Sequence, residues 1–100
     1  MKHCILAKFK KEIAPEQKAA MLPEIQALFD NTLTLDGVRS VTLRKNCTPR
    51  DNRYDLMIEM DMAPEALSAY DSCVWHKQWK SEYCPLLESK AIFDYEVENS

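Results

Sequence analysis

The hundred-residue chain contains a single glycine, Gly37, and that scarcity excludes a class of machinery. Glycine-rich loops that cradle phosphate need several positions where the backbone takes positive φ or closely approaches the ligand. No apolar run approaches the ~20 residues of a membrane-spanning helix, so no membrane partner is expected. The four cysteines, Cys4, Cys47, Cys73 and Cys84, form no CxxC pair. They read as reduced thiols of a cytoplasmic protein. The formal net charge is only −3, which calls for neither nucleic acid nor an anionic surface. The first apolar stretch is interrupted by Lys8, Lys10 and Lys11 and does not read as a secretory signal.

What is present suits one folded domain over 1–100. Hydrophobic residues make up 46% and charged residues 29% of the chain, a balance foreign to disordered tails. Residues 3–10 alternate as a strand, with His3, Ile5, Ala7 and Phe9 on one face and Cys4, Leu6, Lys8 and Lys10 on the other. Pro15 and Glu16 mark a helix start, followed by Met21, Leu22, Ile25, Leu28 and Phe29 at helical spacing. Pro23 lies within that stretch and removes a backbone donor, which predicts a kink or a restart. Asp36-Gly37 marks a turn into a strand over 38–46, and Pro49, Asp51 and Asn52 mark a loop.

Residues 54–62 alternate most cleanly, with Tyr54, Leu56, Ile58, Met60 and Met62 opposite Asp55, Met57, Glu59 and Asp61. A second helix is expected from Pro64 and Glu65, with a break near Ser72. Trp75, Trp79, Tyr83 and Leu86 then form another helical stripe, and residues 90–97 close the chain as a strand. The order is β-α-β-β-α-β, an α+β, ferredoxin-like pattern with both helical segments on one face of a four-stranded antiparallel sheet. The other face carries Leu6, Met57 and Phe93 or Tyr95. One layer of helices cannot cover both faces, so a homodimer through the open sheet face is expected.

Several pieces, in order, carry a resemblance. They are the opening Lys2-His3-Cys4-Ile5-Leu6-Ala7-Lys8-Phe9-Lys10, then Asp36-Gly37-Val38, Tyr54-Asp55-Leu56, Glu65-Ala66-Leu67-Ser68-Ala69-Tyr70 with His76 beyond it, and Phe93-Asp94-Tyr95. The sequence resembles the stress-responsive A/B barrel (Dabb) family along essentially its whole length. That resemblance implies a dimeric α+β barrel of two sheets packed face to face. The family includes stress-induced plant proteins, fungal and plant polyketide cyclases, and many bacterial members of unknown role. In its cyclase branch a tyrosine and a histidine on the second helical segment act in a pocket between sheet and helices. The matching positions are Tyr70 and His76, with a first-strand histidine matching His3. Where the family often reads His-Pro-x-His, this chain reads Cys73-Val74-Trp75-His76, so a cyclase substrate does not carry over.

The candidate catalytic pair is therefore His76 as general base and Tyr70 as its polar partner. His3, Ile5, Ala7, Met21, Ile25, Ile58 and Leu87 are the candidate ligand-binding residues. Ala7 stands out, because a small side chain between Ile5 and Phe9 leaves space on a buried face. The bland alternative is that His76 caps a helix and His3 sits at a core rim. Cys73-x-x-His76, with Cys84 or His3, has some metal-ligand spacing, but structural zinc needs four placed ligands, and the cysteines read better as small hydrophobes. No metal and no cofactor are expected.

Asp55 and Glu59 are expected on the dimer face, paired with Lys8, Lys10 or Arg44. Arg39, Arg44, Lys45, Arg50 and Arg53, against Asp51, make a local basic excess around the second strand and its loop. An RNA-recognition module shares the topology, but it needs aromatics and positive charge on the open sheet face, where Asp55, Glu59 and Asp61 are expected. An acylphosphatase needs a glycine-rich phosphate loop. Two readings remain: a homodimer whose pocket binds a small apolar or aromatic molecule, and a cofactor-independent cyclase or lyase using His76 and Tyr70.

Overall fold

The computed structural model describes residues 1–97. Its elements are β1 (Lys2–Phe9), α1 (Pro15–Asp30), a 3-10 turn (Asn31–Thr34), β2 (Val38–Lys45), β3 (Leu56–Met62), α2 (Ala66–Ser72), α3 (Val74–Gln78) and β4 (Leu87–Tyr95). A π-helical turn (Trp79–Tyr83) and a 3-10 turn (Cys84–Leu86) join α3 to β4. The four strands form one antiparallel sheet in the order β2-β3-β1-β4. This is the ferredoxin-like α+β fold that the element order predicts.

Alternation sets what lies beneath the helices. Leu56, Ile58, Met60 and Met62 of β3 are all buried, with Met57, Glu59 and Asp61 half-buried between them. Ile5, Ala7 and Phe9 of β1 join them, and Ile25, Leu28 and Phe29 of α1 pack down from above. Gln26 fastens α1 to the edge strand β2. Its Oε1 accepts from the Leu43 N–H at 3.1 Å, and its Nε2 donates to the Val41 carbonyl at 3.4 Å.

The restart expected at Pro23 does not occur, and α1 runs unbroken from Pro15 to Asp30. A proline forfeits one helical hydrogen bond, but burial of Ile25, Leu28 and Phe29 beyond it outweighs that loss. The second helical region breaks at Cys73, which is extended (ψ 158°) and whose Sγ accepts from the His76 N–H at 3.4 Å. Cys73-x-x-His76 is thus a helix cap. The stretch after it is not one long helix, and Leu87 belongs to β4.

Gly37 has φ +90°, and a Cβ there would lie 3.1 Å from the Ala66 Cβ and 3.2 Å from the Ala63 Cβ. A left-handed backbone alone costs a non-glycine residue roughly 1–2 kcal/mol. Gly37→Ala is expected to lose at least that much in urea unfolding, with crowding against Ala63 and Ala66 adding to it. An unchanged midpoint would show that the turn relaxes freely.

The face of the sheet away from the helices is uncovered in the single chain. Phe93 is 61% and Tyr95 39% exposed there. They neighbour Cys4 and Lys2 across the β1–β4 register, while Leu6 and Met57 face each other across β1 and β3. Arg44 Nη2 lies 3.3 Å from Glu59 Oε2, and the Tyr95 hydroxyl donates to Glu59 Oε1 at 3.2 Å. Asp55 does not share that face. It precedes the strand, and its carboxylate accepts from the Phe9 N–H at 2.7 Å and lies 3.8 Å from Lys18 Nζ on α1.

Candidate functional site

A cavity of about 320 Å³ opens between the β1–β4 edge of the sheet and the α2–α3 region. His3 and Ile5 of β1 line it together with Tyr70 of α2, His76 of α3 and Trp79. Strand alternation brings His3 and Ile5 beneath the helices. Helical geometry places Tyr70 on the buried side of α2, and the cap at Cys73 turns α3 so that His76 meets Tyr70.

His3 is buried and its Nδ1 lies 2.5 Å from Asp94 Oδ1 on β4. An ionised carboxylate only accepts, so the hydrogen sits on Nδ1 and Nε2 is the remaining ring nitrogen. The His76 ring follows the same logic. Its Nδ1 lies 2.9 Å from the Asp71 carbonyl oxygen, an acceptor only, so in the neutral ring Nε2 carries a free lone pair. Tyr70 stands between the two imidazoles, 5.4 Å from His3 and 4.8 Å from His76 by ring centroids. It is 1% exposed, and its hydroxyl has no hydrogen-bond partner among the described residues. Burial first, and then the neighbouring Cys73, Asp71 and Cys84, push the phenol well above its ordinary range. The group therefore stays protonated and can donate to a carbonyl or similar acceptor.

The structure thus brings His3, Ile5, Tyr70 and His76 to one cavity, and the other candidates elsewhere. Ala7, Ile25 and Ile58 are fully buried in the core, while Met21 and Leu87 pack at its margin. The space expected beside Ala7 is taken up by that packing. Asp94, Lys80, Lys90 and Ile92 also line the cavity, and sequence reasoning did not single them out. Asp94 left a signal. With Phe93 and Tyr95 on the open face, alternation puts a carboxylate on the helix side of β4, opposite His3 in register. Among the described residues, no three His, Cys, Asp or Glu side chains come together as a metal site.

The sequence matches the family model of the stress-responsive A/B barrel domain over residues 1–97. The chain belongs to that family. No curated protein matches it, but solved structures share its fold. A dimeric ferredoxin-like protein of unknown function from Bacteroides fragilis superposes with a TM-score of 0.80 at 17% identity, covering 96% of this chain and 94% of that one. A Dabb family protein from Mesorhizobium loti gives 0.76 at 16% identity, with 98% and 96% covered. A hydroxynitrile lyase from Passiflora edulis gives 0.74 at 11% identity, with 99% and 94% covered. At these identities the likeness is one of fold. No helix among the described residues is long and apolar enough to cross a membrane.

Proposed function

We propose that this Dabb domain works as a homodimer and binds a small apolar or aromatic molecule bearing a hydrogen-bond acceptor in the His3–Tyr70–His76 cavity. The observation that carries this reading is the Tyr70 hydroxyl, which is buried beside that cavity and has no partner among the described residues, with burial holding the phenol above its ordinary range. Leaving a hydroxyl buried without a partner costs about 1–3 kcal/mol. A ligand acceptor placed against it offsets that cost. The Trp79, Ile5 and Ile92 side chains supply apolar wall around the polar groups, which is the usual composition of a small-molecule site.

The Tyr70→Phe variant tests this in two directions. It keeps the ring packing and removes only the hydroxyl, so the ligand-free protein is expected to melt at the same temperature or higher. Affinity for phenolic and carbonyl compounds, drawn from a panel by calorimetry, is expected to fall roughly tenfold through the lost bond. A variant that melts lower while binding the same compounds equally well would remove the reading.

A second reading is favoured by the two imidazoles. His76 offers a free Nε2 and Tyr70 a proton on the same cavity, the pairing a cofactor-independent cyclase or lyase needs for proton abstraction beside a carbonyl. The passion-flower hydroxynitrile lyase is a lyase on the same fold, which is support at the level of fold only. In this reading His76 is the base, Tyr70 holds or protonates the substrate oxygen, and the Asp94 carboxylate fixes the His3 ring.

A further inference from the structure

A second cavity, about 400 Å³, lies outside the region just described and shares none of its lining residues. Its one wall is the N-terminal half of α1, with Lys18, Ala19 and Leu22, and its other wall is the β2–β3 loop. The loop is tied at its neck. Asn46 Nδ2 donates to the Tyr54 carbonyl at 2.8 Å, the Asn46 N–H donates to the Asp55 carbonyl at 3.0 Å, and the Thr48 N–H donates to Asn46 Oδ1 at 2.7 Å. This places Lys45, Arg50 and Arg53 around the cavity together with Lys18.

Four cations therefore face two carboxylates in a chain whose net charge is −3. Asp55 is already engaged by Lys18 and the Phe9 N–H, and Asp51 is exposed. Among the described residues, Lys45, Arg50 and Arg53 have no carboxylate within 4.0 Å. Apart from Asn46 and Thr48, the remainder of the lining is apolar or aromatic, from Phe9, Pro15, Ala19, Leu22, Pro49 and Tyr54. Converging cations beside an aromatic wall raise the local concentration of anions, and an arginine fork matches a carboxylate in geometry. A bare inorganic anion would leave the apolar wall without contact, and a neutral aromatic would leave the cations without a counterion.

We propose that this cavity is a second binding site, taking a small organic carboxylate with a flat apolar body held between Leu22 and Tyr54 and met by Arg50, Arg53 and Lys45. The basic excess visible in the sequence is then a ligand site.

Titration of the isotope-labelled full-length protein with naphthoate, naphthamide and inorganic phosphate, followed by amide chemical shifts, tests the assignment. Naphthoate is expected to shift the amides of Ala19, Leu22 and residues 50–55 saturably, with a binding curve separate from that of any shift at Leu67 and His76, which reports on the first cavity. Naphthamide and phosphate are each expected to bind at least tenfold more weakly. Arg50→Glu, at an exposed position, is expected to weaken naphthoate roughly tenfold or more, about 1.4 kcal/mol. Ala19→Glu, on the opposite wall, should do the same without removing a cation, and His76→Ala should leave that affinity unchanged. Equal shifts of residues 50–55 by phosphate or naphthamide, non-saturating shifts, shifts confined to the surroundings of His76, or indifference of the residue 50–55 shifts to both charge substitutions would each overturn the proposal.

Discussion

Phe93→Asp is expected to turn a dimer into a folded monomer. At micromolar concentration the unaltered protein should sediment as two copies and the variant as one, with the same far-UV circular dichroism. Phe93 is 61% exposed on the sheet face opposite the helices, beside Tyr95 and on the same face as Leu6 and Met57, where only a partner can dry it. Two-fold symmetry makes every change in such an interface count twice. Burying a phenylalanine stabilises by roughly 1.5–3 kcal/mol, so losing two costs about 3–6 kcal/mol, a hundred- to ten-thousand-fold in dissociation constant. The new carboxylates add their own desolvation penalty. The Arg44–Glu59 pair on the same face is expected to contribute little to affinity, since exposed pairs are worth roughly 0–1 kcal/mol. Monomeric behaviour of both proteins would leave the open face to water and end the homodimer reading.

His76→Ala separates the two functional readings. The ring is half-buried and its one recognised side-chain bond, to the Asp71 carbonyl, is worth about 0.5–1.5 kcal/mol. The variant should therefore fold and dimerise as before. If the protein turns over a substrate, removal of the base should lower the rate roughly a hundred- to ten-thousand-fold while ligand affinity changes little. In a protein that only binds, affinity should fall modestly, by about tenfold or less, and no substrate should be consumed by either form. Equal affinity and equal turnover in variant and parent would remove His76 from both readings. Rates and affinities measured side by side on the panel used for Tyr70→Phe provide the check.

Much of the fold was legible in local patterns. The alternation of residues 56–62 named the buried face of β3 outright, because a strand's side chains have a period of two and only one face of this sheet meets helices. The same argument exposed the open face. Local signals failed where a neighbour overruled them. Pro23 carries a real helix-breaking cost, yet burial of Ile25, Leu28 and Phe29 beyond it carries α1 through. Asp55 obeys the alternation on paper, but it precedes the strand, and Lys18 and the Phe9 amide hold its carboxylate near α1.

The candidate site divides along the same line. Strand alternation put His3 and Ile5 on the helix side of the sheet, and the family resemblance added Tyr70 and His76. By itself, then, the sequence determined the element order, the buried faces, the family and the position of a basic loop. Only the tertiary structure joined His3 to Asp94, 91 residues apart, left the Tyr70 hydroxyl without a partner among the described residues, filled the space beside Ala7, and set that loop against α1. Periodicity is a property of neighbours along the chain and survives in a one-dimensional reading. Cavities, unpaired buried groups and long-range carboxylate–imidazole contacts depend on strand register and on the volumes of side chains far apart in sequence, which exist only once the chain has packed.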